Sequence, residues 1–179
     1  MITIKIGGSV VENLHPSTIT DIKKVAEREG VILVHGGGKL ATKLADDLKV
    51  SQQMVEGRRI TDAETLKIVT MVYAGYINKN IVASLQALGV NAIGLTGADG
   101  NLIQSHKRVH ASIDFGFVGD VDQVNSNFID DLLNRSYQAT VADCSYFMNL
   151  FQKQAEPQIV KAQEALAAIK KAEEEKKDG

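Results

Sequence analysis

The residues best suited to chemistry are three glycines and a lysine, Gly36–Lys39, which follow four apolar residues and His35. The apolar run Val31–Val34 is mostly β-branched and predicts a strand buried on both faces. Leucines at helical spacing follow the lysine and predict a helix that begins at the end of the glycines. Unpaired N–H groups at a helix start favour an anion such as a phosphate or a carboxylate. The stretch therefore predicts either an anion site or a tight structural turn.

Two common nucleotide-binding motifs do not describe this run. The P-loop has Ser or Thr after its Gly-Lys pair, whereas Leu40 follows Lys39 here. The dinucleotide motif G-x-G-x-x-G fails because the third glycine comes too early and Thr42 and Lys43 follow. The glycine run by itself does not indicate which class of ligand binds.

A second pair of glycines, Gly7 and Gly8, ends the alternating apolar run at the N-terminus, next to Lys5. Pro16 opens a predicted helix that stops before the strand at Val31. Strand, helix and strand within so few residues form a βαβ unit, so the two strands should be parallel neighbours. Ligands of such sheets lie at the carboxyl ends of the strands. We expect the two glycine turns to face each other across one crevice there.

The elements that follow could place further charges near this crevice. Residues 50–60 are polar with a central glycine and predict a hairpin or lid that carries Arg58 and Arg59. A long helix is predicted over 62–88, with Thr61 as its N-cap and Glu64 completing a capping box. Its apolar residues occupy more than one face, which indicates a central helix or one half-buried by a second copy.

Composition narrows the classes of function. The 179 residues carry a net charge of −2 and 44% hydrophobic residues, which is ordinary for a globular protein and gives no reason to expect nucleic-acid binding. No apolar run is long enough for a membrane span, and no signal peptide is expected before the first strand. The single cysteine, Cys144, fits a reducing compartment, so we expect a cytoplasmic protein.

The chain is expected to divide near residue 137. Residues 1–137 carry the glycine turns and the periodic elements, whereas Ala, Glu, Lys and Gln dominate towards the C-terminus. Residues 138–179 are therefore predicted as a separate, mainly helical tail.

Five strings with this order and spacing make residues 1–137 resemble the amino acid kinase family, in its branch that phosphorylates N-acetylglutamate in arginine biosynthesis. The strings are Lys5–Gly8, Val34–Lys39, Gly57–Glu64, Asn78–Asn80 and Gly94–Gly100. The resemblance implies a three-layer αβα sandwich around a mostly parallel sheet, here truncated and followed by the helical tail. It also implies transfer of the γ-phosphoryl group of MgATP to the side-chain carboxylate of an N-acylated glutamate.

The resemblance also implies roles for individual residues. Lys5 would be the catalytic lysine that stabilises the transition state, and the N–H groups of Gly7 and Gly8 would approach the phosphates. Phosphoryl transfer requires such positive charge and positioning.

On the substrate side, the family pattern implies that Gly37 and Gly38 hold the acylglutamate while Arg59 clamps its α-carboxylate. A planar guanidinium can bind a carboxylate through two parallel bonds. No residue is assigned as a metal ligand.

Other polar residues near these motifs are expected to have plainer roles. Arg58, Lys79, Lys107 and Arg108 are predicted as surface charges. His35 is predicted as a hydrogen-bonded structural residue, because phosphoryl transfer to a carboxylate needs no general base.

The family continues with a loop carrying Asn-Ala-Asp and a nucleotide-binding half, and neither has a counterpart in 138–179. ATP and Mg²⁺ are implied, although the ATP site is largely absent. Two hypotheses follow: a kinase that is active only if the missing half comes from elsewhere, or a non-catalytic module for acylglutamate binding or dimerisation. A homodimer through helix 62–88 is expected in both cases. Acetyl is the family's usual acyl group, and succinyl stays open.

Overall fold

The computed structural model describes residues 1–142, and residues 143–179, with most of the predicted tail, lie outside the described part. The strands are β1 (Ile2–Ile6), β2 (Val31–His35), β3 (Gln53–Val55), β4 (Arg58–Ile60), β5 (Ala92–Leu95), β6 (Ile103–Lys107), β7 (Gly119–Val124) and β8 (Gln138–Ala142). The α-helices are α1 (Gly8–Val11), α2 (Pro16–Ala26), α3 (Gly38–Asp47), α4 (Ala63–Val69), α5 (Asn78–Ala87) and α6 (Ser126–Asn134). A π-helix, Thr70–Ile77, joins α4 to α5, and a 3₁₀ turn spans Asp99–Asn101.

Four parallel strands form the central sheet in the order β1-β2-β8-β5. The predicted parallel pairing of β1 with β2 is confirmed. The crossovers from β1 to β2 and from β2 to β5 run in one direction, and the crossover through α6 back to β8 runs in the other. Right-handed crossovers therefore place α6 on the opposite face from α2 and α5. Contacts of both α5 and α6 with β8 complete the expected three layers.

Strand β8 lies in the middle of this sheet, between β2 and β5. Its residues pair with Ile32–His35 on one side and with Ala92–Leu95 on the other. The sequence-based boundary put residues 138–142 in the C-terminal tail, whereas the structure places them in the sheet. A short apolar run is compatible with either location, and only the neighbouring strands decide between them.

The helical stretch predicted over 62–88 is present, but its N-cap differs from the prediction. Asp62, not Thr61, accepts a hydrogen bond from the backbone N–H of Thr65, at 2.8 Å. This bond holds the pKa of the Asp62 carboxyl below its ordinary value. Thr61 is instead buried, and its backbone bonds to Phe115 and Phe117. The prediction of Thr61 as N-cap was wrong because Thr61 pairs through its backbone with the segment 115–117.

Two antiparallel hairpins, β3–β4 and β6–β7, stand beyond the carboxyl edge of the sheet. The first confirms the predicted hairpin, and Glu56 and Gly57 form its turn with φ values of 50° and 76°. Gly116, in the segment before β7, forms a bridge with Thr61, which directly follows β4. A side chain would not fit at this position, because a β-carbon would lie 2.2 Å from the Thr61 carbonyl oxygen. Nowhere in residues 1–142 is a helix both long enough and apolar enough to cross a membrane.

Candidate functional site

A pocket of about 540 Å³ lies at the carboxyl ends of β1 and β2. The hairpins β3–β4 and β6–β7 contribute to its rim. Its lining includes all six residues singled out from the sequence: Lys5, Gly7, Gly8, Gly37, Gly38 and Arg59.

The floor of the pocket is made where the two glycine turns touch. A β-carbon added to Gly8 would lie 2.8 Å from the backbone N of Gly37 and 2.9 Å from that of Gly38. One added to Gly36 would lie 3.1 Å from the backbone N of Gly8. The turns were expected to face each other, and the structure brings their backbones into contact. Side chains at these positions would separate them.

The π-helix closes the floor from behind. A β-carbon on Gly37 would lie 2.5 Å from Cδ1 of Ile77 and 2.9 Å from Cδ1 of Tyr73. Gly37 is the N-cap of α3, so the unpaired N–H groups of that helix open at the pocket. Backbone hydrogen bonds of a π-helix span five residues rather than four, and the spacing of apolar residues does not reveal this in advance.

Arg59 lies in the wall, and only 8% of it is exposed. One terminal nitrogen donates to the Gly38 carbonyl at 3.2 Å and to Thr42 Oγ1 at 2.8 Å. The other donates to Gln52 Oε1. Arg58 also borders the pocket but is exposed. The protein therefore holds the guanidinium of Arg59 in place against the glycine turn.

Arg108 is the functional candidate that sequence reasoning missed. It was predicted as a surface charge, but its side chain is 8% exposed, lines the pocket and donates to Asp120 from two of its nitrogens, the shortest distance being 2.7 Å. Lys107, next to it, is the exposed charge that was expected. The register sets His106 opposite Asp120. Arg108, two residues further on, lies on the same face of the hairpin, whereas Lys107 lies on the other face.

The other two predictions for polar residues are confirmed. Lys79 is exposed, as predicted, and its ammonium also donates to the Gly94 carbonyl at 2.9 Å. His35 is buried and hydrogen-bonded to Asn78 and Gly36, as predicted. Burial lowers the pKa of His35.

Charge in the pocket is one-sided. Among the described residues its lining has five basic side chains and no acidic one; the basic residues are Lys5, Lys39, Arg58, Arg59 and Arg108. A group of three or more His, Cys, Asp or Glu side chains suited to a metal ion is not found within residues 1–142. This part of the chain suits an anion with several negative groups, and it does not offer the carboxylates that Mg²⁺ prefers.

Comparison of the sequence with known proteins gives a consistent result. The model of the amino acid kinase family matches residues 1–145. An acetylglutamate kinase of Parabacteroides distasonis is 53% identical over 148 residues, which are 82% of this chain and 57% of that protein. A putative [LysW]-aminoadipate/[LysW]-glutamate kinase of Nitrosopumilus maritimus is 47% identical over 157 residues, covering 79% of this chain and 59% of that protein. The chain thus spans less than two thirds of the length of these relatives.

Comparison of structures points the same way. The crystal structure of smu.665 from Streptococcus mutans superimposes with a TM-score of 0.66 at 25% identity. The match covers 79% of this chain and 57% of the other. The similar fold extends over most of the described residues.

Proposed function

This chain belongs to the amino acid kinase family, and on that premise we propose that it binds an N-acylated glutamate and serves the transfer of a phosphoryl group from ATP to its side-chain carboxylate. The observation that carries the proposal is the basic pocket in which Lys5, both glycine turns and Arg59 meet. Relatives at about 50% identity that are named acetylglutamate kinases support it.

The phosphoryl group is proposed to lie at the floor, near Lys5. The transferring group and the attacking carboxylate are both anionic, so the reaction requires fixed positive charge around them. Lys5 supplies a cation at the end of β1, and the turn with Gly7 and Gly8 follows it directly. The absence of side chains lets a phosphate approach the backbone of this turn.

The substrate is proposed to lie between the second glycine turn and Arg59. The start of α3 at Gly38 offers backbone N–H groups to the acylglutamate. Its α-carboxylate would replace an oxygen that Arg59 now binds, such as that of Gln52. Because Gly38 and Thr42 hold the other side of the guanidinium, the fork is oriented before the ligand arrives.

The acyl group is proposed to lie against the apolar part of the wall. Its members are Met54, Tyr73, Phe115 and Val118. Acetyl is the primary candidate, because the acetylglutamate kinases are the more similar relatives. Succinyl is the second acyl group to test, and the exposed Arg58 at the rim could contact its extra carboxylate.

The family also implies Mg²⁺, but the described lining does not fit a metal ion because it contains no carboxylate. These residues therefore offer no site for Mg²⁺ in the proposed phosphoryl transfer. The contribution assigned to residues 1–142 is binding, orientation and positive charge.

A homodimer through the helical stretch 62–88 is part of the proposal. Met71 and Tyr76 of the π-helix are more than half exposed although both are large and apolar. Together with Leu40 and Leu44 of α3 they border an apolar groove of about 420 Å³. A second copy on this face would bury those side chains. Sedimentation at micromolar concentration should show a dimer, and Met71→Lys with Tyr76→Lys should give a monomer that still binds ligand.

Calorimetry and a single-turnover assay test the proposal. The 179-residue chain should bind N-acetylglutamate, and Arg59→Ala should abolish that binding. With MgATP added, phosphorylation that disappears in Lys5→Ala would identify a kinase. Binding without turnover would favour the alternative, a non-catalytic acylglutamate-binding or dimerisation module. No binding of acetyl- or succinylglutamate would contradict both the kinase and the acylglutamate-binding module, and would leave only the dimerisation module.

A further inference from the structure

A buried chain of polar groups lies directly behind the glycine turn, and the proposed reaction does not use it. His35 is the last residue of β2 and Asn78 is the first residue of α5, and both have 0% exposure. Asn78 Nδ2 lies 3.1 Å from His35 Nε2, and His35 Nδ1 lies 3.2 Å from the Gly36 carbonyl oxygen. Buried polar groups are costly unless they are hydrogen-bonded, so their orientation is constrained.

The orientation of the Asn78 amide follows from its other partners. Its nitrogen donates to the Thr140 carbonyl of β8 at 3.0 Å, and its oxygen accepts from the Lys79 ammonium at 3.2 Å. A flipped amide would place an oxygen against a carbonyl oxygen and an NH₂ group against an ammonium. The nitrogen must therefore face both β8 and the imidazole.

This orientation selects one form of the imidazole. Because Asn78 is the donor, His35 Nε2 must be the acceptor and carries no proton. The proton then lies on Nδ1, where it meets the Gly36 carbonyl oxygen, which can only accept. The two contacts are consistent with a neutral ring protonated at Nδ1 and with no other form.

The fold makes room for this arrangement at β5. A β-carbon on Gly94 would lie 2.0 Å from Asn78 Oδ1 and 2.8 Å from Lys79 Nζ. Lys79 in turn donates to the Gly94 carbonyl at 2.9 Å. The polar chain thus joins the glycine turn to strands β8 and β5 of the central sheet, and a side chain at position 94 would leave no room for it.

We infer that His35 is a positioning residue, which Asn78 holds as the neutral Nδ1–H tautomer so that its ring fixes the Gly36 carbonyl and with it the turn that presents Gly37 and Gly38 to the ligand. The identity of that ligand rests on the proposed function. The position of the turn does not, because it is set by contacts within the protein.

Nuclear magnetic resonance of the full 179-residue chain tests the tautomer without any ligand. Long-range ¹⁵N correlations of the imidazole should show a protonated Nδ1 and an unprotonated Nε2 in the wild type. A protonated Nε2 would overturn the inference. This measurement needs no variant, so it is decisive even if a substitution impairs folding.

Two pairs of variants test the effect on the turn. His35→Gln keeps an oxygen that can accept from Asn78, whereas His35→Leu does not. Asn78→Leu removes the donor, whereas Thr140→Val is its control: it removes a buried hydroxyl for which no hydrogen-bond partner is found among the described residues, and it keeps the carbonyl.

We expect Asn78→Leu and His35→Leu to shift the Gly36–Gly38 amide resonances and to weaken N-acetylglutamate binding about tenfold, the equivalent of one hydrogen bond. His35→Gln should recover part of the affinity, and Thr140→Val should retain it. Unchanged glycine resonances in folded Asn78→Leu would overturn the inference. If the wild type binds no acylglutamate, the proposed function fails, whereas the tautomer and the glycine resonances still decide this inference.

Discussion

At the floor of the pocket backbone lies against backbone, whereas in the wall and the rim side chains hold the arginines through hydrogen bonds. Gly8 approaches the nitrogens of the opposite turn so closely that a methyl group would not fit. Arg59 and Arg108, in contrast, are oriented by side-chain partners, which are Gln52 and Thr42 for one and Asp120 for the other.

The difference concerns what each region can tolerate. Backbone contacts cannot be relieved by a change of rotamer, so the floor should respond sharply to the smallest side chain. Side chains of the wall can adopt another rotamer when a partner is changed, so a substitution there should cost less. We therefore expect the shape of the floor to set whether an anion binds at all, and the rim to set which anion binds best.

The largest effect is expected for Gly8→Ala. The added β-carbon would meet two backbone nitrogens within 2.9 Å, which should lower the free energy of unfolding by about 3 kcal/mol. Gly7→Ala is the matched control, because nothing lies within 4 Å of a β-carbon there. Urea denaturation and N-acetylglutamate calorimetry measure both variants. Equal stability of the two would show that the close backbone contact at the floor does not limit side chains there.

The next effect concerns the choice between two neighbouring arginines. Arg59→Lys should weaken acylglutamate binding by ~1–3 kcal/mol, because a charged hydrogen bond to the α-carboxylate is lost and lysine cannot form the planar fork. Arg58→Lys keeps the charge at an exposed position and should bind nearly as well as the wild type. Calorimetry that finds equal losses for both would contradict the assignment of Arg59.

A smaller effect is expected at the second hairpin. Asp120→Asn should lower the free energy of unfolding by about 1 kcal/mol, because the buried Arg108 loses charged hydrogen bonds while the partial exposure of Asp120 limits the loss. Asp114→Asn, in the exposed pair with Lys107, should cause no measurable change. Thermal or urea unfolding of both variants checks this, and similar losses would show that burial of Arg108 is not the cause.

The smallest effect is a pH dependence of the free energy of unfolding, which originates at His35 behind the floor of the pocket. Burial lowers the pKa of His35 from its ordinary value of 6.5, so in mildly acid solution the unfolded chain binds a proton that the folded chain does not. Stability should therefore fall as the pH drops below about 6.5 and level off below the folded pKa. Urea unfolding over this range should show a steeper decline for the wild type than for His35→Gln. Parallel curves would contradict it.

Local patterns predicted a large part of the fold. The βαβ unit, the parallel pairing of β1 with β2 and the hairpin around Gly57 follow from periodicities and turn residues that lie close together in the chain. The six candidate site residues were also chosen from short motifs, and they line one pocket. Their assigned roles stay predictions.

Features that depend on residues distant in the chain could not be predicted from local patterns. The N-cap at Asp62 depends on the pairing of Thr61 with the segment before β7. The place of Arg108 in the pocket depends on its ion pair with Asp120, which the pairing of β6 with β7 brings to the same face of the hairpin. In both cases a residue more than ten positions away decides the outcome, and no local spacing encodes it.

Sequence alone was enough to predict where the chain turns and where it lacks side chains, because glycine frees the backbone locally and β-branched residues favour strands. Only the tertiary structure decided that residues 138–142 lie between β2 and β5, and that Asn78 reaches both His35 and Thr140. Sheet order and buried hydrogen bonds join residues distant in the chain, and their energies depend on which groups the whole fold brings together.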